Sequence, residues 1–259
     1  MKDLHWKTGI TNVTPNRVAI RGYPVDTLMG RVTFAQAAYC VLTGEMPSPE
    51  VGKLVDAVFV SSVDHGASPP SVLAARTVAS TGADLNAAVA AGVLAISRYH
   101  GGAIEEGMRL FHEVAETIEK EGISEDEAAR KVLARMRDQG KRASGFGHRI
   151  HTRDPRTRRL FQLAEDLKLA GKHIRIARAL ERALEDLLGK PLPINVDGAI
   201  AAVLCDLGIP PEIGNAFFTI ARVPGLVAHI HEEKTRMRPM RKIHPEDFEY
   251  DGPEERGLE

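Results

Sequence analysis

Gly145-Phe146-Gly147-His148-Arg149-Ile150-His151-Thr152-Arg153-Asp154-Pro155-Arg156 breaks a chain that otherwise reads as one apolar helical stretch after another. Two glycines flank an aromatic residue, and Asp-Pro closes the stretch. Gly145 and Gly147 permit backbone angles and close approaches that a Cβ forbids. A proline pushes the residue before it out of the α region, so His148 is expected at a tight bend with Arg149, Arg153 and Arg156 near it. A histidine among fixed guanidiniums suits a polycarboxylate that must exchange a proton. A basic surface loop beside a core histidine fits the same residues equally well.

Working outward, helical periodicity dominates both sides. Upstream, Ser124 and Glu127 form a capping-box pattern ahead of an amphipathic helix over 125–137. Downstream, helices are expected over 156–169 and 173–188, punctuated by Gly171 and Gly189. Earlier, Thr33 is placed to cap a helix over 34–42, and a further helix runs from about 49 to 60. Ala-rich segments follow over 70–79 and 84–96, and another helix continues through Phe111. Later helices are expected over 199–207, 211–221 and 226–238. Residues 8–25 read as loops or a short hairpin, and the tail from Pro239 as irregular. Gly-x-Gly-His follows a helix rather than a strand, so a dinucleotide fingerprint has no support. No repeat of fixed period is visible. The fold class is all-α.

The 259 residues suffice for one large domain or two modest ones. A charged fraction of 27% with a net charge of −1 is ordinary for a globular chain and argues against a nucleic-acid binder relying on overall basicity. Cys40 and Cys205 are the only cysteines, lie in apolar helical contexts and have no metal-ligand spacing. With no apolar signal region and no run of membrane-spanning length, a cytoplasmic protein with free buried thiols is expected.

Four polar breaks place an ionisable residue beside glycine at a helix junction: Asp64-His65-Gly66, Tyr99-His100-Gly101-Gly102, Gly147-His148-Arg149 and Asn195-Val196-Asp197-Gly198. One is commonplace; four in a regular helical chain favour a shared site. Three histidines and a carboxylate could hold a metal. None has paired spacing on a helix, and arginines crowd the best candidate, so no metal is expected. Asp206, Glu212, Glu105 and Glu106 read as capping or helix-surface groups. His5, His112, His151, His173, His231 and His244 read as structural or exposed, and Met108 and Phe111 as core.

Over its whole length, Gly145 to Arg156 resembles the signature of the citrate synthase family. The resemblance extends to Arg21-Gly22-Tyr23-Pro24, Ala38-Tyr39 through Gly44-Glu45-Met46-Pro47, Asp64-His65-Gly66, His100-Gly101-Gly102, Asn195-Val196-Asp197 and His229-Ile230-x-Glu232, covering roughly Arg21 to Pro239. It implies a multi-helical fold in two parts: a large domain of residues 1–103 and 218–259, and a small domain of residues 104–217 closing over the site. It also implies chemistry that makes or breaks the C–C bond between an acyl-CoA and a 2-oxo acid, with no tightly bound cofactor and a coenzyme A thioester as substrate. Asp197 would exchange the α-proton, His100 would donate to the thioester enolate, and His148 would handle the proton on oxygen. His65 would help hold the oxo acid. Arg156, Arg222 and Arg238 are assigned to substrate carboxylates, Arg238 reaching across a dimer interface. Lys141 and Arg149 are the cations assigned to CoA, ahead of Arg142 and Arg153.

The chain departs from the full-length synthase pattern between Pro47 and Asp64, where a long run of helices is replaced by a short linker with one helix. This compact form is similar to the citryl-CoA lyase module of the family, as is Asp197-Gly198-Ala199-Ile200, where synthases usually carry an aromatic pair. His100 points instead to a compact citrate or 2-methylcitrate synthase. A non-catalytic acyl-CoA-binding subunit is the third reading, weakened by the presence of His65, His148 and Asp197. The shortened large domain implies an obligate homodimer or larger homo-oligomer.

Overall fold

The computed structural model describes residues 6–147 and 154–257. His148, Arg149 and Arg153 therefore lie outside the described residues, as do His5 and His151.

The chain opens with an antiparallel sheet of three short strands, β1 (Thr11–Thr14), β2 (Arg17–Ile20) and β3 (Tyr23–Pro24). Ile20 pairs with Tyr23 across Arg21 and Gly22, both at positive φ (49° and 88°). That is the backbone a two-residue hairpin turn requires. The Arg21 guanidinium donates to the carbonyl of Val41 at 2.7 and 3.1 Å, tying the turn to a helix that follows. The short hairpin expected over 8–25 is thus a three-stranded meander.

The rest is helical: α1 (Val25–Leu28), α2 (Phe34–Thr43), α3 (Pro49–Ser62), α4 (Pro70–Ser80), α5 (Leu85–Leu94), α6 (Ala103–Glu121), α7 (Glu125–Asp138), α8 (Pro155–Asp166), α9 (Lys172–Leu188), α10 (Val196–Asp206) and α11 (Gly214–Arg236). Starts and stops follow local chemistry. Thr33 and Ser124 each form a full capping box, with Gln36 and Glu127 respectively, satisfying amide groups the first turn leaves unpaired. Gly44, Gly122 and Gly189 end α2, α6 and α9 in the left-handed conformation.

Helix α10 is the centre of the larger core. Gly198 through Cys205 are all buried, and α6, α8 and α9 pack around them. Burying side chains such as Ile200, Val203 and Leu204 contributes about 1.5–3 kcal/mol each. Small residues permit the closest approach: a Cβ on Gly107 of α6 would stand 3.2 Å from that of Ala201. Met108 and Phe111 are fully buried, as expected. A second, smaller cluster joins Val72, Ala75 and Ala79 of α4 and Ala88 of α5 to Leu226 and Ile230 of α11.

Three sequence expectations are corrected. The separate helices over 211–221 and 226–238 are one continuous α11 through Pro224. Proline leaves the carbonyl four residues back, at Ile220, without its helical donor, but packing of Phe217, Ala221, Leu226 and Ile230 on both sides holds the helix together. By length and composition the stretch Pro211–Arg236 passes for a membrane span, contrary to the expectation that no run does; here it carries core-facing residues. The break at residues 195–198 is also shorter than expected. Asn195 accepts from the backbone N–H groups of Asp197 and Gly198 at 3.0 and 3.1 Å, so α10 starts at Val196, and Asp197 sits in its first turn.

Candidate active site

Asp197 is held in place from below. Asn195 caps α10, and its side-chain amide donates to the Gly147 carbonyl at 2.9 Å. The Asn195 N–H donates to the Gly145 carbonyl at 3.0 Å, and the Gly147 N–H to that of Pro193 at 2.7 Å. The glycine-rich stretch and the Asp197 turn are therefore laced together by backbone. Gly145 and Gly147 both have positive φ, 88° and 83°, as their sequence context predicts.

A carboxylate in the first turn of a helix is favoured by the helix dipole, typically by 0.3–1 kcal/mol. At Asp197 desolvation wins. The side chain keeps some accessible surface, but protein atoms crowd its carboxyl. Burial pushes its pKa up from 3.8 to about 6, against the pull of Arg156 and Arg222 and with a further push from Asp154. Such a group exchanges protons near neutrality in either direction.

Arg222, on α11, links the parts. It is 2% exposed. Its Nε donates to the Ser62 carbonyl at 2.9 Å, and its guanidinium lies 4.6 Å from the centre of the Phe218 ring. Burial lowers its pKa, Asp64 and Asp197 oppose that, and Arg156 adds to it. A guanidinium stays charged regardless. Its Nη1 is buried and has no hydrogen-bond partner among the described residues. A buried, charged, unpaired donor is costly unless something arrives to accept from it.

His100 also meets the Phe218 ring, edge-on with the ring centres 5.7 Å apart. Its Nε2 is 2.7 Å from the hydroxyl of Ser71 on α4. Burial, then the charges of Arg222 and His65, hold His100 below the usual 6.5, so the neutral imidazole prevails at neutral pH. A Cβ on Gly101 would strike the Phe218 ring, so glycine there is what lets His100 approach. A cleft of about 340 Å³ opens beside this loop, lined by Ser97, Arg98, Glu106, Arg109 and Asn215 among others.

Arg156 starts α8 and is clamped by Asp154: its N–H, Nε and Nη2 donate to that carboxylate at 2.9, 3.0 and 2.8 Å. Asp154 is buried and Arg156 keeps an open edge. Asp64, before His65, accepts from the Gly66 N–H at 3.0 Å and lies 3.0 Å from His229 Nε2. Burial pushes the Asp64 carboxyl up, but these hydrogen bonds and the His229 charge outweigh it, and the net shift is downward.

The structure thus gathers His65, His100, Arg156, Asp197 and Arg222 into one electrostatic neighbourhood. Arg238 is exposed, two residues beyond the end of α11. Lys141 and Arg142 are exposed after α7. Sequence reasoning missed Ser71, Asp154, Phe218 and the pairing of Asp64 with His229. Asn195 carried a visible signal, since asparagine before a helix is a preferred cap. Ser71 and Phe218 carried none, because helical spacing marks them only as helix residues.

The fold and this cluster define a helical protein of the citrate synthase type. The citrate synthase C-terminal domain family matches residues 42–245, and the chain belongs to that family. It is similar to a citryl-CoA lyase from Hydrogenobacter thermophilus, with 42% identity, 98% of this chain and 97% of that one covered, and a TM-score of 0.89. An ATP citrate lyase from Methanosaeta concilii, solved in complex with (3S)-citryl-CoA, shares the fold at 20% identity, with a TM-score of 0.82 over 98% of this chain and 43% of that one. The citrate/2-methylcitrate synthase of Bacillus subtilis is 32% identical over 224 residues, 84% of this chain and 56% of its own length. The chain spans about half the length of the curated relatives it matches.

Proposed function

We propose that the protein is a citryl-CoA lyase, cleaving citryl-CoA to acetyl-CoA and oxaloacetate. The observation that carries this reading is the buried Arg222. Its Nη1 lacks a partner among the described residues while its charge reaches both Asp197 and His100. A substrate carboxylate would satisfy it and lower its burial cost. The similarity to a lyase over nearly the full length of both chains supports the same reading.

In the cleavage direction a base takes the proton of the tertiary hydroxyl. The resemblance gives that role to His148, outside the described residues. The C–C bond then breaks, its electrons forming the enolate of acetyl-CoA and leaving oxaloacetate with a new carbonyl. Protonated Asp197 delivers its proton to the enolate carbon and becomes a carboxylate. His100, neutral and fixed by Ser71, donates to the thioester oxygen as negative charge develops there. The open edge of Arg156, together with His65, would hold oxo-acid oxygens.

The same groups run in reverse catalyse condensation, and the presence of His100 favours a compact citrate or 2-methylcitrate synthase as the second reading. Purified protein is incubated with citryl-CoA and, separately, with acetyl-CoA or propionyl-CoA plus oxaloacetate. Cleavage of citryl-CoA without thiol release in the condensations is expected. Condensation without cleavage would replace the lyase reading by the second.

The division into residues 1–103 with 218–259 and residues 104–217 is part of the proposal, supported by the separate cluster of α4, α5 and α11. Homodimer formation or larger assembly is proposed from exposed Leu73, Leu85, Leu94 and Tyr99 on or after α4 and α5, an apolar surface of the kind that subunit contact covers. Arg238 would then serve the neighbouring site. Lys141 and Arg149 are proposed to meet CoA phosphates, and the cytoplasm is the proposed location.

A further inference from the structure

Away from the site, at the opposite end of α10, the side chains of His112, His173 and Cys205 converge. Cys205 is in the last turn of α10, about 12 Å along the helix from Asp197. One ligand-capable atom from each lies within 4.8 Å of the other two. Cys205 Sγ is 3.6 Å from His112 Nε2, and the two imidazole rings are 5.0 Å apart.

Two features separate this from accidental packing. The first is the orientation of His173. Its Nδ1 donates to Asp206 Oδ1 at 2.9 Å, and the same carboxylate caps α9 by accepting from the N–H groups of Gly171, His173 and Ile174. In the neutral ring that tautomer places the lone pair on Nε2. The second is that this Nε2 is buried without a hydrogen-bond partner among the described residues, in a side chain only 6% exposed. A carboxylate holding one ring nitrogen while the other is left bare is the arrangement that orients a metal-ligating histidine.

The geometry points to a binding site for a thiophilic divalent cation of the zinc class, with His112, His173 and Cys205 as ligands and Asp206 fixing His173. One thiolate and two imidazoles suit zinc, with bonds of about 2.3 Å to sulfur and 2.0–2.1 Å to nitrogen; a small inward shift of the three side chains brings them to that span. Binding replaces the Cys205 thiol proton by the metal and releases that proton to solvent. The site joins α6, α9 and α10, so its occupation staples the small-domain core. Sequence spacing conceals it, because the ligands come from three helices.

The test uses the full chain, stripped with a chelator, equilibrated with ZnCl2 or CoCl2, and desalted before elemental analysis. The wild-type chain is expected to retain about one equivalent of Zn2+ and to melt at a higher temperature when loaded. The Co2+ form is expected to show a thiolate-to-metal charge-transfer band in the near ultraviolet. All three signals should be lost in Cys205→Ala and His112→Gln and kept in Cys40→Ala. His112 is only partly buried, so His112→Gln decides the matter if Cys205→Ala does not fold. Failure of the wild-type chain to retain Zn2+ supplied at micromolar concentration, or full retention in a folded variant of either ligand, overturns the assignment.

Discussion

Gly145 and Gly198 meet backbone to backbone: a Cβ on Gly145 would lie 2.6 Å from the Gly198 Cα, and a Cβ on Gly198 would drive into the Gly145 carbonyl. The contact welds the glycine-rich stretch of Gly145 and Gly147 to the turn carrying Asp197. Because both sides are main chain, neither can swing aside. Gly198→Ala is therefore expected to cost about 2–4 kcal/mol and most of the activity. Gly189→Ala, where φ is 65° and no atom lies within 4 Å of the new Cβ, should cost only about 1 kcal/mol. Urea unfolding of both variants checks the contrast; equal losses would show that the welded contact carries no weight.

Asp197 opposes stability in order to work. Its folded pKa of about 6 lies above its ordinary 3.8, so the folded state holds this proton more tightly than the unfolded one. Stability from this group is full below pH 3.8 and is lost as pH rises through 6. Asp197→Asn should abolish turnover yet stabilise the chain at pH 8 by on the order of 2–3 kcal/mol. That advantage should shrink as pH falls from 7 to 5. Thermal melts across this range check it. A variant less stable than wild type at pH 8 would contradict the buried-charge account.

His100 should titrate below 6.5, as burial, Arg222 and His65 dictate. Its contribution to stability is present above the unfolded pKa and lost as pH falls below it. Ring-proton NMR on selectively labelled protein should find a neutral imidazole at pH 7. Arg222→Gln should move the titration back toward 6.5, and Ser71→Ala should lower kcat about tenfold or more with little change in KM. An unmoved His100 titration in Arg222→Gln would separate the two residues.

Glu233 is buried between Arg76 and Arg241, with Arg76 Nε at 2.7 Å and Arg241 Nε at 3.0 Å. Arg241 brings the tail back onto α11. Burial pushes the Glu233 carboxyl up, but hydrogen bonds from Arg241 and Arg76 outweigh it and the net shift is downward. This stability is present above pH 4.5 and fades as pH falls through the lower folded value. Glu233→Gln leaves buried Arg76 short of a counter-ion and should cost about 3–5 kcal/mol. Proteolysis after residue 239 should accelerate with it. An unchanged cleavage rate would mean the tail is held by other contacts.

The sequence by itself determined the helical class, most helix boundaries and the residues of the four polar breaks. Those are local matters: a capping box at Ser124, left-handed glycines at 44 and 189, and apolar periodicity are each written within a few neighbouring residues. Tertiary structure decided the rest. Whether Pro224 breaks a helix depends on packing either side of it, and α11 survives because Phe217 and Leu226 are both buried. Whether Asp197 titrates near neutrality depends on how much protein surrounds it, and no motif records that. Phe218 became a shared neighbour of Arg222 and His100, and Ser71 a partner for His100, through contacts 29 or more residues apart in two of the three cases. His112 and His173 read as structural or exposed, and Cys205 as a buried thiol, until three helices brought them together. Local chemistry writes the elements; burial and long-range approach, which depend on the whole packed chain, write the charges and the partners.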